Sequence, residues 1–254
     1  MVERAVPGFL PSVHGLHFAN AFPPGPTLRF GPFDSRLIGV GDAAAGLCGG
    51  MTMTARDLWA ARVPAPPETE PPANGSRRFN ALVRRQVQSL DWLRVPIWYA
   101  VLALVHAEQG TAAPHAASAL GGSSSRGPIH RNSVRVPTIE REWPRVRAEI
   151  DAGRPCLLEL IRVGGVSPAA LSRNHQVLAW AYEEAMTASG TRMRLRVYDP
   201  NHPGRDDVAL ELSTGVDDGA PAATRIGLRQ STGEPLLGFF RGPVLPNERV
   251  TAWR

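Results

Sequence analysis

The sequence predicts a single α+β domain, with a helical lobe followed by an antiparallel β-sheet lobe. Apolar residues recur at helical spacing through the first half, and the hydrophobic period changes to two from about Pro155 onward. A chain of 254 residues that is 43% hydrophobic is also long enough for one large core. Its 24 prolines and 25 glycines suit a loop-rich domain better than a helical bundle. Helices first and strands second is the α+β order.

Residues 1–41 read as an N-terminal arm, with Phe18, Phe22, Phe30 and Phe33 anchoring an extended segment onto the core. The helical lobe covers 42–120. Its first helix begins at Cys48, places Met51, Ala55, Leu58 and Trp59 on one face and Arg56, Asp57 and Arg62 on others, and stops before Pro64. The stretch PAPPETEPPANG from Pro64 is a proline-rich loop. Ser76 then caps an amphipathic helix in which Phe79, Leu82, Val83, Val87, Leu90 and Leu93 share a face. A third helix is expected over Ile97 to Glu108, and Gly110 to Pro128 reads as a flexible loop or a lid.

A boundary near Gly121 separates this lobe from the mainly β lobe, 121–254. Thr138 is expected to cap a helix carrying Trp143, Val146 and Ile150, with Gly153 just past its end. Pro155 to Val163 and His175 to Tyr182 are apolar runs typical of strands buried on both faces. Met193, Leu195 and Val197 alternate with arginines, and Val208, Leu210 and Leu212 alternate likewise, which is the pattern of half-solvated strands. Ile226 with Leu228, and Leu236 to Phe240, suggest two more.

The formal net charge is +5, and since the chain has no lysine, all 28 of its basic residues are arginine. They are interleaved with acids, as in Glu140-Arg141-Glu142 and Arg205-Asp206-Asp207, rather than set in one stripe with aromatics, which argues against nucleic-acid binding. The most apolar stretch, Pro96 to Ala107, is too short to span a bilayer, and the first residues lack the apolar run of a signal peptide. A cytoplasmic location is therefore expected, with signal-independent export as the other route. Two cysteines do not make a disulfide framework in a chain of this size.

Chemistry concentrates at three places. Cys48, in GLCGGM, opens a helix, where the macrodipole and unpaired N–H groups favour an anionic sulfur. Gly49 and Gly50 would leave backbone uncovered beside it, so that a substrate carbonyl can approach and main-chain N–H groups, that of Gly49 among them, can meet an oxyanion. His175 opens an apolar strand, and Asp199 ends the next one, in VYDPN. Antiparallel succession sets the end of the second strand beside the start of the first. Asp199 can then accept from the imidazole and fix its tautomer, with Asn201 as a second candidate for that role. Taken singly, a Gly-Cys-Gly turn, a core histidine and an Asx turn before proline would each serve structure alone.

Together, Cys at a helix head, His at a strand start and Asp after the following strand resemble the papain-like cysteine peptidases. NHQVLAWAY and RLRVYDPNHPG are similar to segments of the bacterial bacteriocin-leader peptidases of that superfamily, and the likeness covers Gly41 to Trp59 and His175 to Gly204. The resemblance implies a papain-like fold and a thiol hydrolase without metal or cofactor, acting on a peptide or acyl substrate. Cys48 would be the nucleophile, His175 the general base and acid, and Asp199 the orienting group. It departs at one position: the superfamily's oxyanion glutamine precedes the cysteine by about six residues, where this chain has Asp42. A carboxylate there repels an oxyanion, which leaves a backbone N–H, or Asn20 from the arm, as the donor. The alternatives are an acyl-transferring, transglutaminase-like enzyme and a binding or effector domain without catalysis.

His14 and His17 have i, i+3 spacing but no accompanying ligand cluster, so no metal site is assigned. His202 and Asp206-Asp207 read as a solvated loop, and Cys156, in PCLLEL, as an inert core thiol.

Overall fold

A computed structural model describes residues 1–23, 29–30, 33–34, 46–89, 134–163, 174–188, 190–215 and 226–254. The expected third helix, the Gly110 to Pro128 loop, the boundary at Gly121, Leu90, Leu93 and Asp42 lie outside these residues.

The fold is α+β, built on a seven-stranded sheet paired antiparallel throughout. Strand β1 is Val2–Ala5, and the pair β2 (Arg29–Phe30) and β3 (Phe33–Asp34) forms a separate two-stranded ribbon. The main sheet continues with β4 (Cys156–Ile161), β5 (His175–Thr187), β6 (Gly190–Tyr198), β7 (Ala209–Gly215), β8 (Ile226–Gln230) and β9 (Gly238–Arg241). Their order is β8-β7-β6-β5-β4-β9. The long β5 has two partners on one side: β4 meets it from His175 to Ala179, and β1 from Ala181 to Glu184. A bulge at Trp180 marks the changeover, and the Trp180 carbonyl accepts from the Val6 N–H.

Every residue of β4 is buried, Glu159 included, as its nearly continuous apolar run predicts, whereas β6 alternates. Helix α1 is a single turn, Pro11–His14. Helix α2, Cys48–Ala60, is buried on nearly all sides: Met51, Met53, Ala55 and Leu58 are joined there by Thr52, Thr54 and Asp57. An amphipathic stripe is therefore too narrow a description, because α2 lies between the sheet and α3 (Arg77–Ser89). Ser76 Oγ accepts the Phe79 N–H and caps α3 as expected.

One sequence-based boundary moves. Helical structure starts at Arg135 with a short α4 (Arg135–Pro137), runs through a π-helical stretch at Thr138–Glu142, and continues as α5 (Trp143–Asp151). Pro137 is tolerated because a first-turn N–H has no intrahelical acceptor to lose. Thr138 is therefore not the cap: its hydroxyl donates to the Val134 carbonyl and accepts from the Phe239 N–H, fastening the helix to β9. Gly153, at φ +73°, closes α5 in the left-handed conformation expected of it.

Two hydrophobic clusters result. One joins the sheet to α5 through Trp143, Val146, Ile150, Leu158, Val177 and Tyr182. The other gathers Phe18, Phe22, Leu47, Met51, Phe79 and Leu82 with Val250 and Trp253 of the C-terminal segment. Phe18 and Phe22 do anchor the arm, while Phe30 and Phe33 fall in the ribbon, where only the backbone is described. A buried ion pair ties the helices together: Arg85 donates to both Asp57 oxygens, at 2.8 and 2.6 Å, and to the Pro246 carbonyl. Among the described residues no helix is long and apolar enough to cross a membrane.

Candidate active site

Antiparallel pairing brings the end of β4, the start of β5, the end of β6 and the end of β8 to one rim of the sheet. Arg162, His175, Asp199 and Gln230 stand there. The N-terminus of α2 reaches the same rim because Gly49 packs directly on Gln176: a Cβ on Gly49 would sit 1.8 Å from Gln176 Oε1 and 2.2 Å from Ser89 Oγ. Gly50 is equally constrained, with its notional Cβ 2.3 Å from the Leu82 carbonyl. Gly49 and Gly50 are both buried, and their lack of a side chain lets α2 approach β5 and α3 closely.

The half-buried Cys48 sulfur lies near enough to the buried His175 ring to raise its proton affinity. The ring's Nε2 donates to Asp199 Oδ1 at 2.6 Å, so Nδ1 is the ring nitrogen that Asp199 does not engage. Burial by itself would lower the proton affinity of His175. The Asp199 charge, its hydrogen bond and the Cys48 sulfur outweigh burial and raise the ring to about 9. Burial likewise pushes Asp199 up, but His175, the Asn201 N–H and Arg162 hold it well below the usual carboxylate range. At neutral pH the pair is imidazolium and carboxylate.

Asp199 is also the Asx-turn residue that its sequence suggests: Oδ1 accepts the Asn201 N–H at 2.8 Å, and its carbonyl accepts the His202 N–H. Structural and orienting roles coincide in one side chain. The contact to the ring comes from Asp199, while Asn201 donates its main-chain N–H to the carboxylate and its side-chain oxygen accepts from Asn20 Nδ2 at 3.3 Å. Asn20 bridges both sides of the site, since its Oδ1 also accepts the Leu47 N–H at 2.6 Å, next to Cys48.

Several residues here carry no signal in the sequence. Gln230 Nε2 donates to Asp199 Oδ2 at 2.8 Å, and Arg162 Nη2 donates to Gln230 Oε1 at 3.0 Å. Under the helix start, Gln86 Oε1 accepts the Gly50 N–H, and Gln176 accepts from Ser89 and donates to Glu159 at 2.6 Å. Glu159 and Gln176 are directly opposed in the β4–β5 register and form a buried polar pair.

Elsewhere, Cys156 is buried in β4, and loss of solvent pushes its thiol up to about 12. His202 is not simply solvated: its Nε2 bonds Glu234 Oε1 at 2.5 Å. His14 stacks on Phe9 at 5.7 Å, and among the described residues no group of three or more His, Cys, Asp or Glu could hold a metal ion.

Compared with known proteins, the chain matches no family model, and no curated protein or solved structure is significantly similar to it.

Proposed function

We propose that the protein is a papain-like thiol hydrolase, cleaving an amide or peptide bond through a thioester on Cys48. The observation that carries this reading is the buried His175–Asp199 pair beside the half-buried Cys48 sulfur at a helix N-terminus. In the reactive pair the thiol proton is on His175 Nδ1, and the Cys48 thiolate attacks the acyl carbon as the C=O electrons move onto oxygen. His175 Nδ1 gives its proton to the leaving amine as the C–N bond breaks. His175 then takes a proton from water, whose oxygen attacks the thioester, and the acid leaves with Cys48 regenerated.

The oxyanion is met by the first N–H groups of α2, at Cys48 and Gly49, which have no acceptor one turn back in the helix. The N–H of Asn20 Nδ2 not committed to Asn201 is the side-chain donor in place of the glutamine that Asp42 replaces. Transfer of the acyl group to an amine instead of water uses the same residues and gives the transglutaminase-like variant of this chemistry. Asp42 in place of the donor is the feature that favours a binding domain without catalysis.

Alkylation by iodoacetamide at about pH 5.5, read by peptide mass, tests the reading, because a thiolate–imidazolium pair reacts in mild acid and an ordinary thiol does not. Modification of Cys48 with Cys156 untouched is expected. Modification of neither, in folded protein, turns the assignment to the binding domain.

A further inference from the structure

We propose that Gln230 reserves the Asp199 carboxylate for His175, acting as a positioning residue and as a neutral spacer against Arg162. The amide has a fixed orientation. Arg162 is only a donor and ionised Asp199 only an acceptor, so Gln230 Oε1 must face the guanidinium and Nε2 the carboxylate. Gln230 Nε2 also donates to Thr232 Oγ1 at 2.9 Å, and Thr232 donates to Glu234, so both amide ends are pinned. Gln230 is almost fully buried, and Asp199 completely so.

The spacing shows what the amide prevents. Arg162 Nη2 stops 3.7 Å from Asp199 Oδ2, with the Gln230 oxygen accepting from it. Without that acceptor the guanidinium can close on Oδ2 and form the paired, charge-assisted contact that Arg and carboxylates favour. Such a contact would turn the carboxylate plane that now keeps Oδ1 on the ring, and would compete with the imidazolium for the same charge. The titratable and charged groups gathered here are Arg162 from the end of β4, His175 from β5, Asp199 after β6, Cys48 from α2 near the ring and, beyond Thr232, Glu234 bonded to His202. The consequence for catalysis rests on the thiol-hydrolase reading, whereas the effect on the His175–Asp199 pair does not.

The test is an NMR titration of the His175 ring in the wild type, Gln230→Leu, Arg162→Met and the double variant, with Cys48 alkylation measured in parallel. Gln230→Leu should lower the His175 midpoint by at least about one pH unit, a tenfold loss of proton affinity. Adding Arg162→Met should restore most of that loss, because the competitor is gone. Arg162→Met alone should leave the midpoint unchanged or raise it. An unchanged midpoint in folded Gln230→Leu, or a fall that Arg162→Met does not relieve, overturns the proposal. If Gln230→Leu does not fold, Arg162→Met decides: a lowered midpoint there would mean that Arg162 supports the pair and Gln230 shields nothing. A wild-type Cys48 that resists alkylation would remove the hydrolase reading while the midpoints still judge Gln230.

Discussion

The two cysteines sit in opposite surroundings. Cys156 lies inside a strand whose every residue is buried, and its environment penalises any charge on the sulfur. Cys48 stands half-buried at the first position of a helix, against a histidine that a buried carboxylate keeps protonated. Chemistry at a thiol is set by what surrounds the sulfur, and here the surroundings come from three separate stretches of chain. The helix supplies unpaired N–H groups, β5 an imidazole, and the turn after β6 a carboxylate. Cys156 is followed in its own strand by the buried Leu157 and Leu158, and loss of solvent dominates its surroundings.

The comparison breaks most visibly in activity. Cys48→Ala should abolish alkylation in mild acid and all amide hydrolysis, and folded Cys156→Ala should retain both. Labelling of Cys156 in the wild type would reverse the choice of nucleophile.

A smaller effect tests how Cys48 is held in place. Gly49→Ala adds a carbon where Gln176 Oε1 already stands, and Gln176 is fixed by Ser89 and Glu159. Something must shift, either the start of α2 or the buried amide. Overpacking of this kind costs about 1–3 kcal/mol. Chemical denaturation should show that loss together with slower Cys48 alkylation; a neutral outcome would mean that the helix start is looser than its contacts imply.

The part of this site that could be read from sequence is the part set by local order. A strand-start histidine and an aspartate after the next antiparallel strand meet for reasons of connectivity alone, and the strand periods around them are plain. What stayed hidden depends on which strands lie near one another. Gln230 looks like any polar strand terminus until β8 and β4 are seen to end on the rim that holds Asp199. Asp57 reads as a residue off the apolar face of its helix, and nothing in the sequence singles out Arg85. They are buried because α2 is enclosed, and a 3.6-residue period cannot reveal an enclosed helix whose polar side is met by another polar side. The glycines beside Cys48 were conspicuous, but their reason, close packing on Gln176 and the Leu82 carbonyl, needed coordinates.

Stability should rank the thiols in the reverse order to activity. Cys156→Ala leaves a small cavity in a fully buried strand and should cost roughly 1 kcal/mol or more. Cys48→Ala removes a half-exposed sulfur at a helix end and should cost less. Thermal melts of the two variants check the order, and equal losses would place Cys48 deeper in the packing than its exposure indicates.

The smallest effect concerns another histidine–carboxylate pair among the described residues, His202 with Glu234. Its geometry nearly repeats that of His175 with Asp199, 2.5 Å against 2.6 Å, but its side chains are 23% and 27% exposed, against 5% and 0%. Exposed pairs contribute about 0–1 kcal/mol, so His202→Gln should move the melting temperature little. The buried pair should also set a pH dependence. His175 is raised from 6.5 to about 9 on folding, so its contribution is complete below about 6.5 and is lost as pH rises through about 9. Asp199 is depressed, so its share holds above its ordinary value near 3.8 and disappears only in stronger acid. Stability should therefore decline between about pH 6.5 and 9 in the wild type, whereas Asp199→Asn should flatten that slope. A slope that survives in folded Asp199→Asn would mean that a group other than the buried His175–Asp199 pair titrates there.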